Sequence, residues 1–214
     1  MKDRNAACGF AAGILVMARL RTFIAVDLGK PLRDRCASLR ENLARTGADV
    51  KWVEPENLHV SLLFLGEVDE REITPVCRAV TDACTSRCAF TLSLEKVGCF
   101  PHPRRPRVIW VGVGDGSADL VALHDVLEPP LLALGCYRRE ERRYTPHITL
   151  GRVRSERAGG PLADALKKYA NWQGGSTDVR EVQVLSSQLT PEGPIYSVLS
   201  RAPLRSASAP DAPP

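Results

Sequence analysis

Apolar residues fall into two rhythms along the chain. Short runs rich in β-branched and aromatic residues, bounded by Gly, Pro or polar clusters, predict strands at 21–28 ("RTFIAVDL"), 58–66, 89–98, 108–113 ("VIWVGV"), 147–151, 179–189 and 195–201. A shorter strand is predicted around Val50–Val53. Between these runs the spacing changes to that of a helix. Leu32, Cys36, Leu39 and Leu43 form one stripe from Pro31 to about Thr46, and Gly47 stops it. Further helices are predicted over 70–87, 117–134 and 161–171, with Pro129 and Pro130 marking a break or kink in the third. The stretch "CFPHPRRPR" reads as a loop because of its prolines. Short connections at 53–58, 99–107 and 190–195 favour antiparallel pairing, so the expected class is α+β.

Length narrows the picture. A chain of 214 residues suits one domain or two small lobes and is long enough to bury a real core, and 44% apolar with 25% charged residues is ordinary for a globular protein. The net charge of +4 does not announce a nucleic-acid binder, but its distribution is uneven. Seven arginines lie between Arg138 and Arg157 against three acids, and Arg104, Arg105 and Arg107 form a second cluster. Arginine clusters often form a solvated face; the alternative is an anionic ligand, for which guanidinium is suited. The seven cysteines contain no C-x-x-C pair, so they are read as reduced core residues in a cytoplasmic protein with no metal site or cofactor. The longest apolar run, 6–18, is well short of the ~20 residues that span a membrane. It follows Lys2 and Arg4 and faintly resembles a signal peptide. With a strand starting so soon after Met17, that methionine is the expected start, and residues 1–19 an extension. Residues 20–205 are expected to form the domain, as a monomer, and 206–214 a disordered tail.

One strand carries chemistry that a buried strand does not need. "NLHVSLLFLG" (57–66) opens with His59 and Ser61, which alternation places on one face about 7 Å apart. The pattern returns 88 residues later: His59-Val-Ser61-Leu is echoed by His147-Ile-Thr149-Leu. Val60, Leu62, Ile148 and Leu150 would face the opposite side. A lone strand histidine is usually a satisfied core residue, but a duplicated His-x-Ser/Thr in a chain with four histidines is not so readily dismissed.

The two motifs resemble those of the two-histidine phosphoesterases, and within them the RNA 2′,3′-cyclic phosphodiesterases, also called 2′-5′ RNA ligases. The resemblance runs from about Leu20 to Leu204 and includes "LRTFIAVDL", "ENLHVSLLFLGEV", "RVIWVGV" and "YTPHITLGR". It implies a bilobal fold of two antiparallel sheets related by pseudo-twofold symmetry, with helices outside and a cleft between them. His59 and Ser61 would face that cleft, and Val60, Leu62 and Phe64 would pack on helices. The implied reaction opens RNA 2′,3′-cyclic phosphate ends to the 2′-phosphate, with reversible 2′-5′ joining of RNA ends as a side activity. By the same resemblance His59 is the proton donor and His147 the acceptor. Arg152 resembles an arginine that clamps phosphate, and Ser61 stands where threonine is common.

The chemistry is sound on its own terms. In-line opening of a cyclic phosphodiester needs a base for water and an acid for the departing alkoxide, and imidazole serves either role near neutral pH. The hydroxyls of Ser61 and Thr149 would donate to non-bridging oxygens. No step requires a metal. Strict alternation sets Arg152 on the face opposite His147, so it reaches the cleft only if Gly151 ends or bulges the strand. Arg104, Arg105, Arg107, His102 and Tyr144 are candidate RNA contacts, with Phe100 and Tyr144 able to stack a base. His124 is expected on a solvated helix face, and Trp52 and Trp110 in packing. Two alternatives stand: a phosphodiesterase acting on small cyclic nucleotides, and a non-catalytic RNA-binding module.

Overall fold

The computed structural model describes residues 18–139, 141–155 and 159–206. The expected start at Met17 and the tail from 207 onward lie outside the described residues. Among the described residues nine strands and four α-helices follow in the order β1 (Arg19–Asp27), α1 (Gly29–Ala44), β2 (Val50–Trp52), β3 (His59–Asp69), α2 (Ile73–Cys84), β4 (Phe90–His102), β5 (Arg105–Val113), α3 (Ser117–Ala133), β6 (His147–Val153), α4 (Gly159–Lys168), β7 (Gln173–Val179), β8 (Glu181–Leu189) and β9 (Pro194–Pro203). The strands follow one antiparallel path, β7-β4-β5-β6-β3-β1-β8-β9, with β2 pairing beside β6. The two expected sheets are the halves of this path. They meet at β3 and β6 through the pair Val60↔Ile148.

One face of the path is closed by helices. The stripe Leu32, Cys36, Leu39, Leu43 of α1 is buried as its spacing predicts, and joins Val76, Val80, Leu120, Leu123, Leu127, Leu131 and the strand residues Val60, Leu62, Ile148 and Leu150 in one core. The other face is open and carries a smaller apolar group, Phe23, Ala25 and Leu185, with Tyr196 against it. Helix α3 runs on through Pro129 and Pro130 without the expected break. The two prolines fall in its last turns, between Leu127 and Leu131, whose complete burial anchors both sides. Among the described residues no helix is long and apolar enough to cross a membrane.

Several strand boundaries differ from expectation for local reasons. The prolines of "CFPHPRRPR" do not make a long loop: β4 and β5 pair out to His102↔Arg105, with a register shift at Phe100/Pro101. The expected strand 179–189 is β8, which starts two residues later at Glu181, and a strand that was not expected, β7, precedes it. The two are separated only by Arg180, where β7 leaves β4 and β8 joins β1. Nor does Gly66 end its strand, since β3 continues to Asp69 through two bulges opposite β1. At the second bulge Gly66 takes φ 74°, the left-handed region that glycine enters without strain.

The same bulges move Phe64. In the register, Ile24 pairs with Leu63 and Ala25 with Ser61, so Leu62 is the extra residue. Leu62 and Leu63 are therefore both buried, and Phe64, expected to pack on helices, is 54% exposed beside Phe23 on the open face.

Candidate active site

The open face at the seam is where the two motifs meet. Because Val60 pairs antiparallel with Ile148, the register sets His59 across from Thr149 and Ser61 across from His147. Val60, Leu62, Ile148 and Leu150 are buried on the helix side, whereas His59, Ser61, His147 and Thr149 are half-buried on the other.

Both imidazoles are held in the same way. His59 Nδ1–H donates to the Asn57 carbonyl at 2.8 Å, and His147 Nδ1–H donates to the Thr145 carbonyl, also at 2.8 Å. A carbonyl only accepts, so each Nδ1 carries a proton and each Nε2 is the atom left for proton transfer. The Ser61 hydroxyl lies 2.9 Å from His59 Nε2 and donates to the neutral ring. Asn57 is itself tied to the far edge, its Nδ2 donating to the Pro194 carbonyl at 3.0 Å.

Beyond these bonds the two histidines differ. His59 lies against Phe23, ring centres 5.0 Å apart, and meets Tyr196 edge-on at 5.5 Å. Burial among these rings lowers its pKa below the ordinary 6.5, opposed by the Asn57 carbonyl and by Asp27, its cross-strand neighbour. Asp27 is ion-paired with Arg33. His147 meets Phe100 edge-on at 5.2 Å, and Phe100 lies 5.3 Å from Trp110, whose strand position pairs with Thr149. Trp110 lies on the open face against Gly98 rather than in the helix-side core, and its buried indole N–H has no partner among the described residues. Trp52 does pack on the core.

Arg152 reaches the histidine face through a bulge. Trp110 pairs with Thr149 but Ile109 pairs with Gly151, so Leu150 is the extra residue in β6. Ile109 is fully buried, which places Gly151 on the core side and Arg152, paired with Val108, on the open side. A Cβ at Gly151 would lie 2.7 Å from Val50 and 2.9 Å from Trp52, so the close approach of β2 requires glycine there. The charge of Arg152 acts on the Tyr196 hydroxyl across the seam, as does that of Arg21; both oppose the burial that raises the tyrosine's pKa.

The remaining candidates sit farther out. His102, Arg104, Arg105 and Arg107 are exposed at the β4–β5 turn, where His102 Nδ1 accepts from the Arg104 backbone N–H at 3.1 Å. Tyr144 is placed differently from a base-stacking residue. Its ring stacks on His124 at 4.5 Å with planes 6° apart, it packs against the core, and its hydroxyl donates to the Ser61 carbonyl at 2.9 Å. His124, expected in solvent, is thereby largely covered. Of the arginines between 138 and 157, Arg139 pairs with Glu128 at 2.8 Å. The described cysteines are all free thiols, and burial pushes Cys36 up to about 12 and Cys84 to about 11. An open cavity of about 670 Å³ between β4, β5 and β7, lined by Arg35, Ser93, Glu95 and Asp115 among others, includes none of the motif residues.

Four residues of this face were not singled out by sequence: Phe23, Tyr196, Arg21 and Lys51. Their strands were predicted, but which face each side chain takes depends on bulges and on partners far along the chain.

Comparison with known proteins gives consistent results. Residues 48–190 match the profile of the 2′-5′ RNA ligase superfamily. An RNA 2′,3′-cyclic phosphodiesterase of Methanothermobacter thermautotrophicus is 38% identical over 179 residues, covering 84% of this chain and 96% of that one. A protein of the same name from Archaeoglobus fulgidus is 37% identical over 180 residues, covering 84% and 98%. Among solved structures, Escherichia coli LigT in its apo form superposes with a TM-score of 0.71 at 26% identity, covering 88% of this chain and 99% of that one.

Proposed function

The chain belongs to the 2′-5′ RNA ligase superfamily, and from that premise we propose that it hydrolyses RNA 2′,3′-cyclic phosphate ends to 2′-phosphates with His59 and His147 as its acid–base pair. The observation that carries this reading is the matched pair of imidazoles at the seam. Each is fixed through Nδ1 to a backbone carbonyl, which leaves Nε2 for proton transfer; at His59 the substrate takes the place of the Ser61 hydroxyl that Nε2 accepts from in the free protein.

The steps balance without a cofactor. Water attacks phosphorus opposite the ribose 3′-oxygen, and one Nε2 takes its proton. The P–O3′ bond breaks, and the other Nε2 supplies the proton that makes the 3′-hydroxyl. His147 is the acceptor and His59 the donor. Burial favours neutral His59 in the free protein. It gains its proton when the phosphodiester's negative charge arrives, since an opposite charge within a few ångströms favours the charged form. Binding the anion thus arms the acid. Ser61 and Thr149 donate to the non-bridging oxygens, and Arg152 neutralises charge there. Ligation of 2′-5′ ends is the same path with an RNA 5′-hydroxyl in place of water: the hydroxyl attacks phosphorus and gives up its proton to one Nε2, the P–O3′ bond breaks, and the other Nε2 protonates the departing 3′-oxygen, leaving a 2′-5′ phosphodiester.

The test is incubation of an oligonucleotide ending in a 2′,3′-cyclic phosphate with the protein in excess EDTA, followed by mapping of the phosphate. Turnover to a 2′-phosphate is expected. A 3′-phosphate product would reverse the leaving group. Activity that vanishes only on chelation would contradict the metal-free steps, and binding without turnover would leave an RNA-binding module.

A further inference from the structure

The register of β2 places a second cation beside Arg152. Lys51 pairs with Arg152, and Trp52 with Gly151. Trp52 and Val50 pack on the core, so Lys51 projects from the open face together with Arg152, Val108, Trp110 and Thr149. Like charges directly opposite one another on a sheet are destabilising. Such a pair is usually relieved by a carboxylate. Among the described residues, none lies within ion-pairing distance of either Lys51 or Arg152. Both side chains are exposed. Two unpaired cations, forced together by the ladder and set on the histidine face, make a site that is completed by an anion.

The two cations are not equivalent. Arg152 reaches inward, since its charge is felt at the Tyr196 hydroxyl beside His59. Lys51 lies directly across from Arg152 on β2, the strand that leads through Pro55–Asn57 into His59, and it is not among the charges that act on Tyr196. A mononucleotide has one phosphate, which Arg152 and the two hydroxyls already serve. A chain end has another immediately upstream.

We propose that Lys51 and Arg152 form a two-phosphate clamp, in which Lys51 binds the phosphodiester one nucleotide upstream of the reacting cyclic phosphate. This rests on the hydrolytic reading above and adds a substrate class to it: the preferred substrate is an RNA end of at least two nucleotides. Lysine is suited to this place, being a compact charge on a flexible stem that follows a backbone without demanding one orientation.

The experiment compares adenosine 2′,3′-cyclic phosphate with the dinucleotide ApA carrying a 2′,3′-cyclic phosphate, using wild type, Lys51→Ala and Lys51→Arg. For Lys51→Ala, the loss of kcat/KM on the dinucleotide should exceed the loss on the mononucleotide by about tenfold, the order expected of one charge-assisted contact. Lys51→Arg should restore most of that difference, because it keeps the charge. The dinucleotide KM should also lose ~0.7 of its log–log dependence on salt when the contact is removed. Equal losses on both substrates would overturn the proposal by placing Lys51 at the reacting phosphate, and no loss on either would make the pair a solvated surface. Calorimetric binding of ApA bearing a terminal 2′-phosphate gives the same comparison without turnover. An active wild type with no Lys51 effect refutes the clamp. A Lys51 effect on binding in a protein that opens neither cyclic substrate refutes the hydrolytic reading instead.

Discussion

Gly98→Ala tests how the sheet itself shapes the site around His147. Gly98 and Trp110 are cross-strand partners on the open face, and the indole lies flat over the glycine. An added Cβ would meet the ring at 2.3 Å, 2.5 Å and 2.8 Å, well inside van der Waals contact. The backbone at Gly98 is not in the left-handed region, so the perturbation is steric alone. Relief requires the indole to tilt off the sheet, and the ring it would displace is Phe100, which holds the edge of His147. Overpacking of this kind costs about 1–3 kcal/mol. For a domain of this size, each kcal/mol lowers Tm by ~2–4 °C, so a fall of roughly 2–12 °C is expected by calorimetry. The cost should nearly disappear in a Trp110→Leu background, giving a coupling of about the same size in a double-mutant cycle. A Gly98→Ala penalty that is equal in both backgrounds would show that the ring is not what the glycine accommodates, and the link from Gly98 to His147 would be lost.

Other predictions concern the groups that position the motifs. Tyr144→Phe removes the hydroxyl that serves the Ser61 carbonyl and should cost about 1–3 kcal/mol of stability by chemical denaturation; an unchanged midpoint would mean the carbonyl finds another donor. His59 has a folded pKa below its unfolded value, so below pH 6.5 the unfolded state binds more protons and stability rises with pH across the window just under 6.5. His59→Gln should flatten that rise in urea titrations at successive pH values, and a slope unaffected by the substitution would assign it to other groups. Arg152→Ala should reduce kcat/KM on a cyclic mononucleotide by about 10–100-fold, with Arg152→Lys recovering only part, because a single ammonium does not reproduce a bidentate guanidinium; full recovery with lysine would show that charge alone matters there.

Much of the fold was legible because burial imposes a period. The α1 stripe and the apolar halves of β3 and β6 are buried where spacing alone places them, and the duplicated His-x-Ser/Thr marks the seam by its repetition. What escaped was set by events with no local signature. Strand β7, "QGGSTDV", has almost no apolar alternation because it is an edge strand rich in Gly, Ser and Thr, and it pairs with β4 only through tertiary context. Phe64 and Arg152 each sit on the face opposite to strict alternation, because one inserted residue reverses every side chain beyond it. For Arg152 the sequence named the condition, a bulge near Gly151, but not its occurrence. Tyr144 shows the reverse: an aromatic residue three positions before a His-x-Thr motif suggests stacking on a base, whereas it braces the other motif through a single carbonyl.

The central claim, that His59 and His147 act as one acid–base unit through their Nε2 atoms, is tested most directly by single-turnover hydrolysis of a 2′,3′-cyclic phosphate RNA end. The proteins compared are wild type, His59→Ala, His147→Ala and the double variant. Each positioned acid or base contributes roughly 10²–10⁴ in rate, so each single variant should lose at least about a hundredfold. The double variant should be little slower than either, because half of such a pair has no partner to work with. A single variant that keeps near wild-type rates, or a double variant whose loss is the product of the two, would contradict the account.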